Sequence, residues 1–150
     1  GGRAGMTADP AVVIAAARGW LGTRWLHQAS CKGVGADCIG FVAGVAAECG
    51  SLDAQRFLAT PEWRRYGRQP DAAFLFSVCD ELMERIAIAA ATTADVLVFN
   101  CGKHPMHFGF VSDDGRMLHA YLGARKVCEH QLDAGWRDRI VRAYRIRGIE

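Results

Sequence analysis

The sequence predicts an α+β domain, with helices first and an antiparallel sheet after them. Three observations carry this. Up to about residue 90 apolar residues recur at helical spacing, as in Phe74, Leu75, Val78, Leu82 and Ile86. From residue 95 the chain changes to short runs rich in β-branched and aromatic residues, with turn residues between them. Helices followed by strands, without alternation, pack as a helical layer on one face of a sheet.

The elements follow in order. Asp9-Pro10 reads as an N-cap and a proline at the first helical position. That helix runs to about Trp20, with Val12, Val13, Ala16 and Trp20 on one face. Residues 22–36, GTRWLHQASCKGVGA, hold three glycines and no sustained period, and read as a loop. Asp37 can cap a second helix from Cys38 to Cys49, and Gly50 can end it. Residues 51–70 look irregular, with one helical turn near PEWRRY. A longer helix covers about 71–90. Five strands follow, at 95–100, 107–112, 116–121, 126–132 and 140–146, as in a meander. Residues 1–5, GGRAG, read as a cloning remnant before Met6, and residues 6–150 as one domain.

Composition excludes several functions. About half of the 150 residues are apolar (51%) and 23% are charged, the balance of an ordinary globule. The net charge of +2 is too small for a nucleic-acid binder. The basic run at 137–148 reads as a strand with a solvated face. No apolar stretch reaches the roughly 18–20 residues of a membrane span. No basic-then-apolar leader follows Met6, so a cytoplasmic origin without a signal peptide is expected. The six cysteines, at 31, 38, 49, 79, 101 and 128, make no CxxC pairs. That argues against a zinc cage, and reduced thiols are the default. No metal or cofactor is expected.

One cysteine stands apart. A cysteine nucleophile acts as the thiolate, which a helix N-terminus favours. Cys38 has that position, whereas Cys49 ends the helix and Cys79 lies in mid-helix. Its base must be a histidine brought near by folding. His107 opens the strand HFGFV, with Gly109 leaving space beside it on the same face. His119 follows on the next strand. A three-residue loop, Ser112 to Asp114, pairs Val111 with Gly115 and sets His107 directly opposite His119, with Cβ atoms roughly 5 Å apart. A two-residue turn would separate them to opposite faces. His119 would then orient the His107 ring, as the aspartate does in a serine-protease triad. His104 and His130 read as structural, and His27 stays open because its loop leads to Cys38.

At these residues the chain resembles the NlpC-type cell-wall cysteine peptidases. DCIGF (37–41), HFGFV (107–111) and MLHAY (117–121) are similar to that family's D-C-S-G-F, H-V-G-I-Y and M-I-H-A blocks, in the same order. GTRWLHQAS (22–30) resembles the segment before the nucleophile. The resemblance implies a papain-like fold, with N-terminal helices packed on an antiparallel sheet of about five strands. It implies Cys38 as nucleophile, His107 as general base and acid, and His119 as the orienting residue. Trp25, which stands where the family commonly has tyrosine, joins His27, Gln28 and Asp37 on the substrate and oxyanion side.

The implied reaction is hydrolysis of peptidoglycan stem peptides, typically between D-glutamate and a diamino acid. Two departures are Ile39, where the family has serine, and a long insert between the cysteine and histidine blocks. HQASCKGVGADCIGFVAGV is closer to the branch carried by phages and gene-transfer particles, which implies particle or tail proteins as partners and delivery to the wall by a virion-like particle. Two other readings stand beside this one. One is a papain-like acyltransferase or amidase on a small amide or lipid. The other is a non-catalytic tail component that binds wall peptide.

Overall fold

The structure, a computed structural model, describes residues 8–67, 71–102 and 106–149. The tail at residues 1–5 and His104 lie outside the described residues. Among the described residues five helices and eight strands form, in place of three helices followed by five strands. Helix α1 (Pro10–Arg18) starts at the Asp9 cap, whose carboxylate accepts from the Val12 N–H. Its buried face is Val13, Ile14 and Ala17, continued by Trp20, and Val12 is 51% exposed. The predicted face was thus out of phase by about one residue. The 22–36 segment is not wholly irregular, because β1 (Ser30–Cys31) and β2 (Gly35–Ala36) form a small hairpin. Helix α2 (Cys38–Glu48) is buried from Ile39 to Ala46, and Gly50 turns the chain away at φ +100°.

The insert is more ordered than its sequence suggests. Helix α3 (Leu52–Ala59) is capped by the Ser51 hydroxyl and followed by a 3₁₀ turn at Pro61–Arg64. Helix α4 (Ala72–Leu82) is capped by Asp71. It stops eight residues short of the predicted end. Met83–Ile86 instead forms strand β3, paired with β8. A six-stranded antiparallel sheet results, in place of five strands, with the order β3-β8-β4-β5-β6-β7. Its other members are β4 (Val96–Asn100), β5 (Met106–Val111), β6 (Arg116–Tyr121), β7 (Lys126–Gln131) and β8 (Ile140–Ile146). A short helix, α5 (Ala134–Arg137), joins the last two.

The pleat divides the sheet's side chains between two cores. Phe108, Phe110, Val96, Val98 and Leu118 face the helices, where Phe110 meets Phe41 of α2 edge-on at 5.6 Å. Leu97, Phe99, Met117 and Ala143 face the other way, under Trp136 of α5. The basic run on β8 is engaged by neighbours. Arg145 forks onto the buried Asp95 at 2.9 and 2.8 Å, Arg147 reaches Asp53, and Arg142 lies over the Phe76 ring. Among the described residues no helix is long and apolar enough to cross a membrane.

Candidate active site

Asp37 builds the nucleophile's side of the site. One carboxylate oxygen accepts from the Gly40 N–H at 2.8 Å, capping α2 just where Cys38 begins it. The other accepts from the Gln28 N–H at 2.8 Å and from the Tyr66 hydroxyl. Both oxygens are therefore committed to holding the loop, the insert and the helix together. Asp37 is a hub of positioning for this side of the site. Gly40 explains the spacing of the DCIGF block, because a Cβ there would lie 1.8 Å from the Ala29 carbonyl oxygen. The upstream loop runs across the first turn of α2 at backbone contact, and the Ser30 hydroxyl donates to the Gly40 carbonyl.

The other loop residues gather nearby. Trp25 stacks on His27 at 6.4 Å, and His27 meets Tyr66 edge-on at 5.4 Å. Gln28 has φ +57°, and its side-chain amide donates to the Tyr66 carbonyl at 2.6 Å. Tyr66 is a site residue that sequence reasoning missed. It comes from the insert, in a stretch read as irregular.

The Cys38 thiol lies within hydrogen-bonding reach of the Phe108 and Ile39 N–H groups. Phe108 follows His107 in β5, so the sulfur sits against the backbone of that strand. Burial, rather than the helix terminus, dominates its electrostatics. Desolvation pushes the thiol well above its ordinary range and the Asp37 carboxylate adds to this, against the two N–H groups. The expectation of a helix-lowered thiol is thereby corrected. Burial also pushes the His107 imidazole down to about 4, helped by His130. The resting pair is a neutral thiol and a neutral imidazole.

His107 and His119 share a face, as the odd-loop argument required, but their register differs. Val111 pairs with Met117, which leaves five residues in the connection instead of three. Gly109, not His107, therefore lies opposite His119, and the two rings meet on the diagonal. The space beside Gly109 is filled by His119 itself, since a Cβ on Gly109 would lie 2.6 Å from the His119 Cβ. The rings bond directly, with His107 Nε2 at 2.6 Å from His119 Nδ1.

The chain of rings continues. His119 Nε2 lies 2.8 Å from His130 Nε2, and His130 Nδ1 lies 2.9 Å from the Gln131 carbonyl oxygen. His130, read as structural from sequence, joins the site. A carbonyl can only accept, so His130 Nδ1 carries a proton. With neutral rings, His130 Nε2 then accepts from His119 Nε2–H, and His119 Nδ1 accepts from His107 Nε2–H. One carbonyl thus fixes three tautomers in series and leaves the lone pair of His107 on Nδ1. Tyr121 stacks on His119 at 5.0 Å, and Trp136 meets it edge-on at 5.2 Å. His119 is fully buried, and burial lowers its basicity, as do His107 and His130.

No family profile and no curated protein matches the sequence. Solved structures do match. The NlpC/p60 domain of the peptidoglycan hydrolase SagA aligns over 93% of this chain and 100% of its own, with a TM-score of 0.61 at 16% identity. The chain has the NlpC/p60 fold. An NlpC/p60 protein from Bacillus cereus aligns over 93% of this chain with a TM-score of 0.67 at 19% identity. The peptidoglycan hydrolase RipB from Mycobacterium tuberculosis aligns over 94%, with a TM-score of 0.55 at 20% identity. The chain spans 41% of the Bacillus cereus protein and 65% of RipB. The NlpC/p60 fold confirms the expected papain-like α+β architecture.

Proposed function

We propose that this chain is a cysteine peptidase that hydrolyses peptidoglycan. The observation that carries the reading is the ordered chain from Gln131 to His107, which leaves a bare ring nitrogen on the base, on the strand whose backbone meets the helix-borne thiol. The likeness in fold to SagA and RipB, both peptidoglycan hydrolases, supports the substrate.

His107 Nδ1 takes the Cys38 proton as the sulfur attacks the peptide carbonyl carbon. The Cys38 N–H, at the open end of α2, receives the oxyanion. His107 stays bonded to His119 through Nε2, so the transient imidazolium keeps an acceptor. It returns its proton to the departing amine as the C–N bond breaks, leaving a thioester. Water then loses a proton to His107 and attacks the thioester carbonyl, and the sulfur leaves with that proton. Trp25, His27 and Gln28 line the approach. No metal or cofactor enters this sequence.

The finer reading is cleavage between D-glutamate and a diamino acid by an enzyme carried on a phage or gene-transfer particle, with particle proteins as partners. The likeness of residues 27–45 to that branch supports it. The test is to incubate the protein with purified sacculi and weigh the released fragments. Fragments ending at D-glutamate are expected, and none from Cys38→Ala. Equal release by Cys38→Ala would end the assignment.

A further inference from the structure

Cys128 stands beside the histidine chain, and the proposed reaction does not use it. It lies directly opposite His119 across the β6–β7 pair, with His130 two residues along the same face of β7. One donor atom each from His119, Cys128 and His130 lies within 4.8 Å of the others. Cys128 and His130 are partly exposed on the sheet's edge strand, while His119 is buried. The CxxC argument excluded a cage built from adjacent cysteines, but strand pairing assembles a ligand set that spacing alone does not show. Two imidazoles and a thiolate are a borderline-soft set that suits zinc, with water as a fourth ligand.

We propose that His119, Cys128 and His130 form an inhibitory zinc site that switches off His107 by reversing the tautomers. The inference rests on the reading of His107 as base. Zinc binds His130 through Nε2, which carries no proton because Nδ1–H is held by the Gln131 carbonyl, and whose lone pair it takes over from His119. It binds His119 through Nε2, which must give up its proton, and Cys128 as a thiolate, which releases a proton to solvent. A neutral His119 bound at Nε2 carries its proton on Nδ1. That N–H now donates across the 2.6 Å contact, so His107 Nε2 must accept. His107 then carries its own proton on Nδ1, the atom the proposed reaction needs bare. In total the His119 Nε2 proton reappears at His107 Nδ1, the rings stay neutral, and one proton leaves from Cys128. The base has become a donor.

The experiment uses the whole chain. Cobalt(II), a coloured stand-in for zinc, is titrated into Cys38→Ala, which removes the competing nucleophile thiol. A thiolate-to-cobalt charge-transfer band and intense tetrahedral bands are expected, displaced by zinc and lost in the C38A/C128S double variant. In ¹⁵N-labelled Cys38→Ala, zinc should move the proton of His107 from Nε2 to Nδ1. Zinc inhibition of sacculus cleavage, taken relative to each variant's own metal-free rate, should weaken at least ~10-fold in Cys128→Ser. Cobalt bands that survive in the double variant, an unmoved His107 proton, or equal inhibition of wild type and Cys128→Ser would each overturn the proposal. The cobalt and ¹⁵N readouts stand even if sacculi are not the substrate, so failure of this inference is separable from failure of the peptidase reading.

Discussion

The backbone of Gly109 and the side chain of His119 are in contact across β5 and β6, so closely that a Cβ at 109 would fall 2.6 Å from the His119 Cβ and 3.1 Å from the Leu118 carbonyl oxygen. Only a residue without a side chain lets the two strands approach enough for the His107–His119 bond. Gly109→Ala is expected to push β6 outward, costing about 1–3 kcal/mol of stability. Activity should fall further than folding, by roughly 10²-fold, because a 1 Å error at a catalytic group has that scale. Urea melts and sacculus turbidity together check both numbers.

His130 acts through His119 and touches no substrate. His130→Ala should lower kcat and leave KM nearly unchanged, since it removes the group that orders the tautomers. His130→Gln should recover part of the loss, because the amide oxygen can accept from His119 Nε2–H. Equal activity in all three proteins would remove His130 from the chain.

In the proposed mechanism the low basicity of His107 sets the acid limb of the reaction. The base works only when neutral, and its ring titrates at about 4. In metal-free buffer the acid limb of kcat/KM is expected near pH 4, well below that of an ordinary imidazole. The sign for stability follows. The unfolded histidine titrates at 6.5 and the folded one at about 4, so between these the unfolded chain binds more protons. The contribution is complete above pH 6.5 and is lost as pH falls toward 4. Denaturant melts across that window should show the slope, and His107→Gln should flatten it.

Tyr66 and Asp37 carry a prediction about the insert. Tyr66→Phe leaves one oxygen of a buried carboxylate without its hydroxyl donor. The loss should be about 1–3 kcal/mol, the range for a hydrogen bond to a charged group. Since Asp37 also caps α2, the variant should lose activity as well, although Tyr66 stands twenty-eight residues from Cys38 in sequence. Thermal melts and cleavage rates provide the check.

What was legible in the sequence was local. Asp37, Gly50 and the five main strands carry their signals in neighbouring residues. The missing pieces depend on partners far along the chain. Met83 and Ile86 continue a helical period, and only the edge offered by β8 draws them into a strand. His130 sits among polar residues on an edge strand, which reads as a solvated face. The pairing of Tyr121 with Lys126 leaves a four-residue link, and that register alone puts His130 diagonal to His119. Tyr66 gives no local sign of its role, because the acceptor it serves is set by the packing of the insert. The thiol's electrostatics were misjudged because helix ends can be read from sequence and burial cannot.

The position of β8 also has a consequence for biosynthesis. This strand lies inside the sheet, between β3 and β4, yet it leaves the ribosome after all the others. Until it arrives, β3 has no partner in the sheet, and the helical layer rests on β4 to β7 alone. A nascent chain therefore pairs the strands that carry the three imidazoles before β3 is docked. Docking of β3, with helix α4 before it, is then the late step.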